Sequence, residues 1–344
     1  MQQLTCTGPG QVEWLEVADP ALVEPTDALV RPIAVARCEI DPFLVLVGPT
    51  RAGRFALGHE AVAEVVEVGS AVDGDAHGHA PGHHVLPSFQ VSCGTCPPCR
   101  RGRSAVCASY PILSDFGMEP LSGVEYGGML SDLVRVPHAA TMLTPLPAGV
   151  DPVAAASVPD NVLDGYRAVA PHLATRPGVD VLVACHGIPS IGLYAAQAAV
   201  ALGAGSVSVA SADAEVLGLA EAVGATPLLV DFAERPPATA PIVVDCGVEP
   251  TGLRWAIRAT EPEGILHSVS SYVAGEVSLP LQRLYTLGIE LHIGRAHSAA
   301  LLPEVVALVA EGRLHPELVT TRVVDWVEAA ERFTEPATKL VFAR

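Results

Sequence analysis

Positive charge is what this chain has least of. Twenty Lys and Arg face thirty-eight Asp and Glu, for a net charge of −18. A surface that negative repels phosphate backbones and anionic lipid headgroups, which argues against nucleic acid and membrane as partners. Long apolar runs are missing too: the greasiest stretch, IGLYAAQAAVALGA, is too short to span a bilayer. The opening residues, MQQLTCTGPG, lack the basic segment and apolar core of a secretory signal, so the expectation is a cytoplasmic protein. Cysteine is sparse, eight in 344 residues, and reducing cytosol disfavours structural disulfides. What the chain does have is hydrophobic mass, half of its residues. That is enough to bury substantial cores in about two domains.

Four of the eight cysteines crowd into CGTCPPCRRGRSAVC, residues 93–107. Cys93, Cys96, Cys99 and Cys107 follow the spacing C-x2-C-x2-C-x7-C. Short Cys-x2-Cys steps let successive sulfurs point at one centre, and four thiolates complete the tetrahedral shell that zinc favours. The reading is a structural zinc lobe. An iron–sulfur cluster, whose usual spacings differ, and chance cysteines in a loop are the lesser alternatives. A closed shell leaves no room for substrate, so the chemistry belongs elsewhere.

About the first 150 residues are dense in Pro, Gly and short alternating stretches such as AVAEVVEV, the texture of an irregular, strand-rich domain. From about residue 178 the texture changes. VDVLVA, SVSVAS, PIVVDCG, GILHSVS and IELHIG read as strands, while SIGLYAAQAAVALGA and AEVLGLAEAVGA read as helices. This alternation implies βαβ units and a parallel, doubly wound sheet. In such a sheet the first strand-to-helix turn carries phosphate, with glycines admitting the backbone and the helix N-terminus facing the anion. Here it reads VLVACHGIPSIG: Cys185 takes the place of the first glycine, Gly187 keeps the second, and an insertion displaces the third to Gly192. A crossover turn with no ligand stays open as an alternative. The position after a strand and before a helix is the context that favours a dinucleotide.

With ALGHEAVAEVVEVGSAV added, the chain resembles the medium-chain, zinc-dependent alcohol dehydrogenases from end to end. The likeness runs through ARCEID, GHE, the four-cysteine lobe, GGMLSDLVRVP, SVPDNVLDGYRAV and EAAERF. It implies an α/β fold: a Rossmann, doubly wound parallel sheet plus a strand-rich GroES-like catalytic domain with a zinc lobe. Residues 1–160, completed by 293–344, would form the catalytic zinc domain, and 161–292 the dinucleotide-binding domain. It also implies a second, catalytic zinc. Cys38 and His59 match the first ligands, Glu60 is the residue that some members use as a fourth, and Asp160 matches the third. One sulfur, one nitrogen and one carboxylate leave an open position, as a catalytic zinc requires. The dinucleotide would lie along Gly187, Ser190, Ile191, Gly192, Ser211 and Asp164. A homodimer or homotetramer is implied as well.

The implied chemistry is hydride transfer between a small alcohol or carbonyl substrate and NAD or NADP, with zinc as the Lewis acid. Four departures from the family pattern bear on details. Ile40 stands where Ser or Thr usually hands the alcohol proton toward solvent, so a different relay is required. Asp164 replaces a customary Thr, and reads either as a proton relay or as a helix-capping or solvent-facing carboxylate. Cys185 and His186 break the glycine turn. Ser211 ends the second strand where an acid would bind the ribose of NAD. SADAEV holds no Arg or Lys for a 2′-phosphate, and Asp213 would repel one, so the balance tips to NAD. The missing relay leaves room for a reductase of activated C=C or C=N bonds, and the eroded glycine turn for a non-catalytic binding protein on the same scaffold. Phe89 and Ile112 are apolar candidates for the substrate pocket. DAHGHAPGHHV, with four histidines, reads as a solvated loop. Cys6 and Cys246 read as small packed side chains.

Overall fold

The computed structural model of the protein describes residues 1–74, 78–272 and 275–344. It divides into two compact units: Met1–Leu163 with His297–Gly312 and Thr320–Arg344, and Asp164–Ala296 with Arg313–Val319. Among the described residues no helix is long and apolar enough to cross a membrane.

The first unit is built from β1 (Gln2–Gly8), β2 (Gln11–Glu16), β3 (Ala28–Arg37), β4 (Phe55–Ala56), β5 (Glu60–Val68), β6 (His84–Pro87), β7 (Val134–Val136) and β8 (Leu143–Pro145). A helix, α1 (Ile40–Val47), follows β3. Strands β2, β1 and β4 form a small antiparallel sheet. The larger sheet is centred on the antiparallel pair β3 and β5, whose inward residues bury Val30, Val35, Val65, Leu130 and Phe116 in one core. Loop backbone packs directly on the residues that lead into β5. Gly117 and Gly128 permit this, because a Cβ at Gly117 would lie 1.9 Å from the Gly58 carbonyl and one at Gly128 2.3 Å from that of Leu57.

The second unit opens with α2 (Leu163–Thr175) and continues as β9 (Val181–His186), α3 (Pro189–Ala201), β10 (Val207–Ser211), α4 (Ala214–Ala222), β11 (Thr226–Leu229), β12 (Ala240–Gly247), α5 (Pro250–Ala259), β13 (Thr260–Ser268), α6 (Leu281–Leu287) and β14 (Glu290–Ile293). The sheet order is β11-β10-β9-β12-β13-β14, all parallel. This is the 3-2-1-4-5-6 order of the Rossmann fold, with its topological switch point between β9 and β12. Strand β9 is buried along almost its whole length, as a central parallel strand covered on both faces must be. Helix α3 starts at Pro189, whose fixed φ and missing N–H suit the first helical position. Asp213 caps α4 by accepting from the Glu215 N–H at 2.8 Å.

After α7 (Ser298–Ala310), strands β15 (Arg322–Asp325) and β16 (Leu340–Ala343) return to the first unit, with β16 antiparallel to β3. The buried Arg37 guanidinium donates to the carbonyls of Phe333, Glu335 and Ala337 and pins this tail. The division departs from the one expected at 160/161 and 293: the first unit runs to Leu163 and resumes at His297, and Arg313–Val319 belongs to the second. Asn161 to Leu163 stay with the first unit because Asn161 is bonded to Cys38. Arg313–Val319 joins the second because Gln197 holds His315 through two hydrogen bonds of 2.9 Å.

Candidate metal centres and dinucleotide crevice

Three neighbouring strands carry the chemical groups to one end of the large sheet. The antiparallel register pairs Ala36 of β3 with Glu60 of β5 and Arg37 with Leu340 of β16. Glu60 therefore sits at the end of the pairing, with Cys38, His59 and Lys339 one residue beyond these pairs. A single wide turn, Val158–Val162 with the Val162 N–H bonded to the Ser157 carbonyl, adds Asp160 and Asn161. Such π-turns recur at functional sites.

One ligand atom from each of Cys38, His59, Glu60 and Asp160 lies within 4.8 Å of the others. Nε2 of His59 is 3.3 Å from an Asp160 oxygen. On its far side Nδ1 faces the fully buried Asp41 carboxylate at 3.4 Å, and the other Asp41 oxygen accepts from the Cys38 N–H at 3.0 Å. A carboxylate behind a histidine fixes its tautomer and ring plane, the usual support of a metal-ligating imidazole. The Phe89 ring packs 5.6 Å from that of His59.

The electrostatics are those of a donor set that wants a cation. Burial pushes the Cys38 thiol up to about 12, with the Asp160 charge adding to it. Burial also pushes the Glu60 carboxyl up, although the Lys339 ammonium pulls against it. Burial works to lower the His59 imidazole, but Asp41 and Asp160 outweigh it and hold the ring well above its ordinary value. A thiol, an imidazole and two carboxylates sharing one buried spot suit a divalent ion that stabilises their ionised forms. The residues fit zinc.

The four-cysteine lobe meets the same test. Its sulfurs lie within 4.8 Å of one another, with Cys107 3.6 Å from Cys93 and 3.8 Å from Cys96. Sulfurs about 2.3 Å from a tetrahedral zinc are about 3.8 Å apart. Backbone N–H groups of Cys93, Cys96 and Ala108 point at sulfurs at 3.3–3.4 Å. Burial opposes ionisation of Cys93, yet the Ser109 and Thr95 hydroxyls carry its pKa down to about 5.

In the second unit Gly187 adopts φ +141° just before α3. Gly192 lies over Cys185, and a Cβ there would meet the Cys185 sulfur at 2.3 Å. Gly192 thus does the packing work of a third fingerprint glycine, and Cys185 turns its side chain under the helix. Ser190 and Ile191 are buried in the first turn of α3. The His186 ring is seated between Gly247 and Gly252, where an added Cβ would fall 1.5 Å and 1.9 Å from it, and its Nε2 pairs with Asp245 at 2.8 Å. Asp245 also accepts from Ser268 and Tyr272 at 2.6 and 2.7 Å. Ser211 ends β10 and accepts from the Asp213 N–H at 3.1 Å. The turn, the helix start and the switch point fit a dinucleotide.

Other sequence candidates fall out differently. Asp164 is buried rather than solvent-facing, with its carboxylate on Arg167. Arg167 also reaches His267 at 2.8 Å, and His267 in turn reaches His172 at 2.9 Å. Ile112 is exposed, whereas Phe89 is buried. Of the histidine-rich loop, His77 lies outside the described residues. His83 and His84 are exposed, but His79 is buried with Nε2 3.0 Å from the Leu143 carbonyl, so this part is not the solvated loop expected. Sequence reasoning missed Asp41, Asn161, Arg167 and Lys339. Asp41 lies within ARCEID, and Asn161 and Arg167 within SVPDNVLDGYRAV, whereas Lys339 lies in no stretch that carried the resemblance.

A Rossmann unit and a strand-rich unit bearing Cys/His/Asp and four-cysteine clusters define a zinc-binding oxidoreductase. Comparison with known proteins agrees. Residues 24–148 match the alcohol dehydrogenase GroES-like domain. The NADP-dependent isopropanol dehydrogenase of Thermoanaerobacter brockii is 31% identical over 306 residues, 84% of this chain and 79% of that protein. A glutathione-independent formaldehyde dehydrogenase of Pseudomonas aeruginosa is 27% identical over 301 residues, 79% of this chain and 73% of that one. The solved alcohol dehydrogenase from Thermus sp. ATN1 superposes with a TM-score of 0.88 at 27% identity, covering 100% of this chain and 99% of that one. The chain belongs to the zinc-binding, medium-chain alcohol dehydrogenases and is an oxidoreductase.

Proposed function

We propose that the protein interconverts a small alcohol with its aldehyde or ketone, using a catalytic zinc at Cys38, His59 and Asp160, a structural zinc at Cys93, Cys96, Cys99 and Cys107, and NAD as the hydride carrier. The observation that carries this is the convergence of Cys38, His59, Glu60 and Asp160 within 4.8 Å. Bound zinc supplies Lewis acidity that makes an alcohol hydroxyl acidic near neutral pH, or polarises a carbonyl. The nicotinamide supplies the hydride acceptor or donor.

The protein's own residues set the stage. Cys38 and Asp160 bring two negative charges to the metal position, and Asp41 fixes the plane of His59. Glu60 is bonded to Lys339 at 2.7 and 2.9 Å, which holds it as an ion pair beside the three proposed ligands. Phe89 supplies an apolar wall beside His59. Ile40 has no proton to pass on, and Asp164 is engaged by Arg167, so solvent is the proposed proton exchange partner. The preference for NAD rests on Asp213, two residues past the end of the second strand, where the 2′-phosphate of NADP would meet a carboxylate. The cofactor of the isopropanol dehydrogenase is therefore not carried over.

The test is isotope transfer. Secondary alcohols deuterated at the carbinol carbon are incubated with NAD, and the reduced nicotinamide is weighed by mass spectrometry. Deuterium should appear with the wild type and drop by orders of magnitude with Cys38→Ser. Equal transfer by the two proteins would remove the metal from the reaction.

A further inference from the structure

The chain has a single lysine, Lys339, and it is completely buried. Lysine is almost never fully buried without a partner. Its ammonium donates to both Glu60 oxygens, at 2.7 and 2.9 Å, and to the Asn161 side-chain oxygen. Lysine offers donors only, so the amide must turn its oxygen to Nζ. Its nitrogen then faces the opposite way, and Nδ2 of Asn161 lies 3.2 Å from the Cys38 sulfur and 3.3 Å from an Asp160 oxygen. The amide's orientation is thus fixed by chemistry.

The local fold makes this possible. In a regular α-helix neighbouring side chains diverge by about 100°. The wide turn at Val158–Val162 instead places Asp160 in the ligand cluster and the Asn161 amide against the Cys38 sulfur. The result is a continuous chain of bonds, Glu60 to Lys339 to the Asn161 carbonyl, and from the Asn161 amide to the Cys38 sulfur. A cation on the carbonyl side strengthens the N–H as a donor. An N–H on a metal-bound thiolate draws charge from sulfur and leaves the metal a stronger Lewis acid.

We propose that Asn161 is a positioning residue, oriented and polarised by Lys339, that weakens thiolate donation from Cys38 and so tunes the reactivity of the metal. This rests on the reading of Cys38, His59 and Asp160 as ligands. Asn161 touches neither substrate nor dinucleotide in this scheme. Its effect reaches the reaction through Cys38.

Cobalt(II) substitution tests it, because the sulfur-to-cobalt charge-transfer band reports thiolate donation directly. Subtracting the spectrum of Cys38→Ser isolates the Cys38 band from those of the four-cysteine lobe. Asn161→Leu keeps the side-chain size without the donor, and Asn161→Ala is a second variant should the first fold poorly. In both, the Cys38 band should move to longer wavelength. Turnover should fall about 10–100-fold, the range for lost support behind a metal ligand. The KM for the dinucleotide should not move, and Lys339→Arg should keep the wild-type band. A band at its wild-type position in both Asn161 variants, with stability the only property lost, would reduce Asn161 to packing and overturn the proposal. If the wild type and Cys38→Ser give the same spectrum, the ligand assignment itself falls.

Discussion

At the scale of single residues, the most consequential contact is Lys339 with Glu60. Both side chains are fully buried. Removing one member of such a pair strands the other's charge, at about 3–5 kcal/mol. Lys339→Met should destabilise the protein by that amount in urea titration, and adding Glu60→Gln should recover much of it. If the double variant is as unstable as the single, the stranded charge is not the cause. Sequence and structure part company here for a physical reason. Cys38, His59 and Asp160 sit in short stretches, ARCEID, GHE and VPDNVLDGY, that match the ligand positions the family resemblance implies. Lys339 lies 279 positions from Glu60, in a tail with no pattern of its own, and only the β16–β3 register brings it home. Asp164 shows the opposite failing. Its motif position was readable, but the Arg167 partner that occupies its carboxylate was not, because an i,i+3 pair is one of several fates for an acid at a helix start.

At the scale of elements, the strands and helices around the Rossmann turn were legible because buried parallel strands read as continuous apolar runs. Strand β11 was not: it is short and half-exposed, and shows no clear period. The close approach of the loop at Gly117 and Gly128 to Leu57 and Gly58 was equally invisible, since the Gly127-Gly128 pair signals a turn but not the distant backbone that turn packs against. It yields a prediction. Gly128→Ala forces a methyl to within 2.3 Å of the Leu57 carbonyl. Overpacking of this kind costs about 1–3 kcal/mol, and Leu57 and Gly58 lead straight into His59. The thermal midpoint should fall and zinc at the Cys38 site should loosen. A variant with wild-type midpoint and metal content would show that the backbone yields freely there.

The row of histidines between α2 and the strands β13 and β14 gives a second prediction at this scale. Burial holds His172 down to about 4, and burial with Arg167 holds His267 down to about 2, against an ordinary 6.5. The unfolded chain takes up these protons below pH 6.5, whereas the folded chain resists until about pH 4 for His172 and lower still for His267. The unfolded state binds more protons in that window, so stability must decline as pH falls from 6.5 to about 4. Urea midpoints measured across that range should drop, and His267→Gln should drop less steeply. Identical slopes would mean that other groups set the acid limit.

At the scale of the whole molecule, the two clusters of candidate metal ligands lie in the strand-rich unit, and the proposed dinucleotide site belongs to the unit built on the parallel sheet. The separation means that losing either metal should leave nucleotide binding largely intact. The proposed chemistry needs two zincs with different jobs, one closed within four sulfurs and one open at Cys38, His59 and Asp160. Counting zinc per chain by elemental mass spectrometry in the wild type, Cys38→Ser and Cys99→Ser tests this most directly. The expected counts are two, one and one, with the thermal midpoint falling sharply for Cys99→Ser, where structural metal contributes folding free energy. A wild type holding one zinc that Cys38→Ser retains in full would contradict that chemistry.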